Sequence, residues 1–172
     1  MRHGGFDIGS ISPKTQNSYV NLGNLYFDSG ELIPAIENYK KAIEINPSGF
    51  SVHNNLGVAY GKTGKLKEAI KEFETASRLN PRYTSPHINL GNAYLTLGEY
   101  DKAVMELKKA IEINPYLSSP YFLLGIIYKK KGETDLALEE LNKTIKLDPS
   151  NKKAVIMIKD IYSEKGESDG KH

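Results

Sequence analysis

The hexapeptide NLGNLY at residues 21–26 returns as NLGVAY (55–60), NLGNAY (89–94) and LLGIIY (123–128), at a constant interval of 34 residues. Repetition at a fixed period outranks local propensity, because every copy must form the same structural unit. Further columns keep the interval. Pro47, Pro81, Pro115 and Pro149 do so, as do Ala35, Ala69, Ala103 and Ala137. Gly30, Gly64, Gly98, Gly132 and Gly166 form another column, and Tyr26, Tyr60, Tyr94, Tyr128 and Tyr162 a fifth.

Each column has a physical task. Leu22, Gly23 and Tyr26 are three and four apart, on one face of a first helix; Ala35, Tyr39 and Ala42 share a face of a second. Gly23 and Ala35 are small enough to let the two helices approach closely. Gly30 falls between them, where a turn can demand the positive φ that glycine adopts without strain. Pro47, after Asn46, ends the second helix, since proline lacks the amide proton and restricts its predecessor. Pro34, Pro86 and Pro120 fall in first turns, where a missing N–H costs little. First helices are expected at 16–29, 50–63, 84–97 and 118–131, and second helices at 32–45, 66–79, 100–113 and 134–147, with a lone ninth helix over 152–165.

The pattern resembles the tetratricopeptide repeat (TPR), whose Leu-Gly, Tyr, Ala and Pro columns match over about 150 of the 172 residues. Tyr19, His53, His87 and Tyr121 replace the family's leading tryptophan. The resemblance implies an all-α, right-handed superhelix of four helix–turn–helix repeats (16–49, 50–83, 84–117, 118–151) with a C-terminal capping helix (152–165), between a flexible tail (1–15) and a disordered one (166–172). Lys159 stands where every full repeat has glycine, so no second helix is expected against the cap. Val155, Ile158 and Tyr162 would then meet solvent, as an oligomer contact or as a tolerated apolar face.

Composition narrows the function. Charged residues at 26% and hydrophobic residues at 39% fit a folded, water-soluble chain. No stretch is long and apolar enough to span a membrane, and the start MRHGGFDIGS lacks a secretory apolar core, so a cytoplasmic location is expected. A net charge of +2 gives no case for nucleic acid. The most basic repeat carries Lys62, Lys65, Lys67, Lys71, Arg78 and Arg82 interleaved with Glu68, Glu72 and Glu74, a solvated-face pattern. Without cysteine there is no disulfide, thiolate metal site or thiol nucleophile. His3, His53, His87 and His172 form no HExxH and no His–carboxylate spacing on one helix face; His53 and His87 stand in the aromatic core column, where a packed imidazole is expected. No metal, no cofactor and no enzymatic activity are expected.

In the family that the sequence resembles, first helices line the concave groove. The groove positions then hold Asn21, Asn55 and Asn89, with Asn24 and Asn92 one turn on. A carboxamide both donates and accepts, so a ladder of them can pair with a peptide backbone of any sequence, or else bond to neighbouring turns. Apolar neighbours Val20, Phe27, Ile88, Leu95, Phe122, Leu123 and Ile126, continued by Ile156 and Met157, favour a partner with apolar side chains. Asn24 and Asn55 match the clamp by which TPR co-chaperones hold acidic heat-shock C-termini. Val20, Ile88 and Asn92 stand where its cations belong, so that clamp is not expected.

The expected function is a protein-interaction scaffold binding a polypeptide segment. Two alternatives stay open. One is a self-assembling homo-oligomer on an organelle or membrane surface, similar to the magnetosome-associated TPR proteins, with Phe6, Ile8 and Ile11 of the tail docking in another copy. The other is a regulatory arm of a larger enzyme.

Overall fold

Side-chain packing makes each 34-residue unit a helix pair. The computed structural model describes residues 15–169, with side chains as far as Glu164. The expectations for residues 1–14 and 170–172 fall outside that range. Among the described residues there are nine α-helices and no strand. The chain falls into two compact units, one ending at Asn80 and the other beginning at Pro81.

The first unit holds α1 (Gln16–Asp28), α2 (Leu32–Ile45), α3 (Phe50–Lys62) and α4 (Leu66–Leu79). Helix α1 starts where the Thr15 hydroxyl accepts from the Ser18 amide at 3.3 Å. It ends one residue before the turn in which Gly30 takes φ 84°. The glycine inside each first helix serves close packing: a Cβ on Gly57 would lie 2.6 Å from the Phe73 ring, and one on Gly23 2.6 Å from Tyr39. The ring of the second helix therefore lies directly over the first helix's backbone. Ala35, Ala42, Ala69 and Ala76 are fully buried between the paired helices.

The second unit holds α5 (Thr84–Leu97), α6 (Tyr100–Ile113), α7 (Ser118–Lys131), α8 (Thr134–Leu147) and α9 (Lys152–Asp169). All four second helices have the expected bounds. Before three of the repeat prolines the Asn or Asp side chain closes the connecting turn: Asn46 Oδ1 accepts from the Ser48 amide at 3.0 Å, Asn114 Oδ1 from that of Tyr116 at 3.1 Å, and Asp148 Oδ1 from that of Ser150 at 3.1 Å. Ala154 and Ile161 anchor α9 in a core with Leu124, Ile127 and Leu141. Helix α9 runs four residues beyond its expected end, and Gly166 lies inside it rather than in a turn. A turn glycine is needed only where a second helix folds back, and a helix tolerates a glycine at a cost of about 1 kcal/mol.

Candidate functional site

The first unit brings two of the five asparagines together. Asn24 on α1 and Asn55 on α3 are half-buried, and Asn55 Nδ2 donates to Asn24 Oδ1 at 3.3 Å. The same oxygen accepts from the Tyr39 hydroxyl at 2.8 Å. Burial, then the Asp28 carboxylate, pushes the Tyr39 phenol up to about 12, so it stays a donor. Both lone pairs of Asn24 Oδ1 are thereby used, while the Asn24 Nδ2 and the Asn55 carbonyl oxygen are left for an outside group. Asn21 is exposed, and Val20 and Phe27 are half-buried, with the Lys62 ammonium 4.3 Å from the centre of the Phe27 ring.

In the second unit Asn92 is exposed, while Ile88 and Asn89 are half-buried; Asn89 is engaged within the protein. Phe122, Leu123, Leu95 and Met157, all expected along a ligand-facing wall, pack partly against the unit's own core. Ile126 and Met157 form the floor of a depression of about 330 Å³ rimmed by Lys129 and Lys130. Lys129 also pairs with Glu164 at 3.0 Å.

Behind these faces lie two polar contacts that the sequence reading missed. His53 Nδ1 is 2.7 Å from Glu72 Oε2, and its Nε2 is 2.9 Å from the Pro47 carbonyl oxygen. His87 Nδ1 is 2.7 Å from Glu106 Oε2, and Glu106 Oε1 accepts from Lys109 at 2.7 Å. The hydrogen bond with Glu72 raises the His53 imidazole above its ordinary value, against burial. For Glu106, burial pushes the carboxyl up, but the bonds from His87 and Lys109 outweigh it and hold the group below its usual range. Both histidines are packed, as expected. Their carboxylates come from the facing helix, nineteen residues on. The signal was present: His53/His87 and Glu72/Glu106 are each 34 residues apart.

On α9, Tyr162 is 58% exposed, but Val155 and Ile158 are half-buried and Ile158 packs on the core. The side chain that joins Tyr162 in solvent is Ile156, at 57%. Helical spacing turns 154, 158 and 161 toward the second unit and leaves 156 outside. No helix among the described residues is long and apolar enough to cross a membrane, and none of their His, Asp and Glu side chains gather in threes as a metal ion would need.

Family models for "TPR repeat" match residues 23–64, 62–98 and 91–132, and one for "Tetratricopeptide repeat" matches 118–151. No curated protein matches the chain. Among solved structures, the chain is similar to MamA, at 29% identity and TM-score 0.81, over 91% of this chain and 86% of that one. It is also similar to YrrB, described as a TPR protein with an unusual peptide-binding site, at 27% identity and TM-score 0.71, over 87% and 77%. MamA from Desulfovibrio magneticus RS-1 shares the fold at 19% identity and TM-score 0.82, over 92% and 89%.

Proposed function

Because the chain belongs to the tetratricopeptide-repeat family, we propose that it is a non-catalytic scaffold whose first helices hold an extended segment of a partner protein. The observation that carries this reading is the Asn24–Asn55 pair. Tyr39 fixes the shared oxygen, so the amide hydrogens of Asn24 and the carbonyl of Asn55 are pre-oriented before a ligand arrives. Donor and acceptor side by side match the alternating N–H and C=O of an extended backbone, whatever its side chains. Asn21 and Asn92, exposed on their own units, offer the same chemistry. A similar protein, YrrB, has a peptide-binding site, which supports a peptide as the ligand.

The test uses peptides selected on the protein from a random display library and then measured by fluorescence anisotropy. Asn21→Ala with Asn55→Ala weakens their binding by about tenfold or more, at roughly 1 kcal/mol for each lost hydrogen bond. Far-ultraviolet circular dichroism stays unchanged. Equal affinity in the double variant, or failure to select any peptide, removes the amides from the mechanism.

A second reading, a self-assembling scaffold, is favoured by a specific feature: the large apolar side chains of Ile156 and Tyr162 are more than half exposed on one helix.

A further inference from the structure

Every repeat has a ring residue on its first helix, a polar residue nineteen positions on and a third residue three further along, and in the second and third repeats the ring meets the carboxylate directly. The sets are Tyr19, Asn38, Lys41; His53, Glu72, Thr75; His87, Glu106, Lys109; and Tyr121, Glu140, Lys143. The lysines have work to do. Lys109 pairs with Glu106 at 2.7 Å and Lys143 with Glu140 at 3.2 Å, while Lys41 stands 5.8 Å from the Tyr19 ring centre. The second repeat alone pairs a carboxylate with no lysine at the third position; Thr75 there bonds to the Lys71 carbonyl at 3.0 Å. Among the described residues, the one cationic group within ion-pair distance of Glu72 is the His53 ring.

At His53 both ring nitrogens face acceptors: the carboxylate Oε2 of Glu72 at 2.7 Å and the carbonyl of Pro47 at 2.9 Å. A neutral imidazole has one N–H and one lone pair, so it would set a lone pair against a lone pair at one of these contacts. The hydrogen bond with Glu72 favours the charged ring and raises the imidazole against burial, which keeps the proton on His53. We infer that His53 is a doubly protonated imidazolium in the folded protein, the counter-ion of Glu72, and that it forms a proton-dependent clasp joining α3, α4 and the α2–α3 turn. This does not depend on whether Asn55, on the same helix, touches a ligand.

The other charged groups around the ring come from two helices. Lys40 and Glu44 of α2 line, with His53 and Glu72, an opening of about 230 Å³ through which protons can exchange. Arg78 of α4 opposes the imidazolium, but the directly bonded Glu72 dominates and the imidazole is held above 6.5. The clasp therefore contributes fully below about pH 6.5 and is lost as pH rises through the elevated value. Glu106 in the third repeat has a second partner besides its histidine, the Lys109 ammonium at 2.7 Å.

The test is an NMR titration of the imidazole nitrogens, with melting temperature followed in parallel. His3→Ala and His172→Ala remove the two histidines outside the described residues and leave two rings to assign. Adding Thr75→Lys supplies the missing lysine and moves only the His53 resonance. Both His53 nitrogens carry protons at about pH 6, and its midpoint lies above 6.5. Thr75→Lys lowers that midpoint and reduces the fall in melting temperature between about pH 6 and 9. A single-tautomer pattern at pH 6, a midpoint at or below 6.5, or no response of either ring to Thr75→Lys overturns the inference.

Discussion

Gly57 and Gly61 lie one helical turn apart on α3 and make opposite demands. A Cβ at Gly57 would stand 2.6 Å from Phe73, which is buried, and 3.1 Å from the Ala69 carbonyl oxygen; one at Gly61 meets nothing within 4 Å. Replacing a helical glycine by alanine gains roughly 0.5–1 kcal/mol through backbone entropy. At Gly57 that gain is set against overpacking at about 1–3 kcal/mol, because the ring cannot move without displacing its own core. Urea unfolding should show Gly57→Ala destabilised by about 1–2 kcal/mol and Gly61→Ala stabilised by up to about 1 kcal/mol. A gain at both positions would mean the ring yields freely. The sequence distinguishes the two glycines, since Gly57 obeys the 34-residue interval and Gly61 does not. It did not disclose that the crowding group is a side chain at position 73, because that depends on how the second helix is rotated.

Helix bounds were the most legible feature, for a local reason. The proline, the residue before it and the positive-φ glycine act within a few residues of where they stand, as at Asp148, Ser150 and Gly132. What escaped was cross-helix chemistry. His53 and Glu72 look unrelated along the chain and meet only because α3 and α4 are paired. The same holds for Tyr39 and Asn24, fifteen residues apart and bonded only because α1 and α2 are paired. Helix α9 shows a third limit, since its orientation follows from two buried side chains. Ala154 is fully buried and Ile161 is nearly so. With no second helix among the described residues to hold it, α9 depends on Ile161 more than an internal helix depends on any one residue. Ile161→Ala costs about 2–4 kcal/mol locally, and amide exchange in α9 rises well before that in α5–α8. Uniform exchange across the whole second unit would instead show that α9 unfolds only with its neighbours.

For the molecule as a whole, a repeat protein exposes at its ends what its interior repeats bury. Ala59 and Ile127 are fully buried, yet Leu25 at the same repeat position is half-exposed in α1, because no repeat precedes it among the described residues. Ile156 and Tyr162 are the corresponding exposed groups on α9. Capping helices ordinarily present polar residues there. A net charge of +2 provides little repulsion to keep two copies apart. Burying both side chains against another copy would gain roughly 2–4 kcal/mol before association entropy is counted, enough for weak, concentration-dependent assembly but not for a permanent dimer. Multi-angle light scattering should therefore give a mass that rises with protein concentration. Ile156→Glu with Tyr162→Glu should hold it at the monomer value, with the melting temperature nearly unchanged because neither side chain is buried. A wild-type mass that stays monomeric at high concentration removes the self-assembly reading and leaves Ile156 and Tyr162 as tolerated exposed side chains. A rising mass that the double variant does not reduce places the contact elsewhere on the chain.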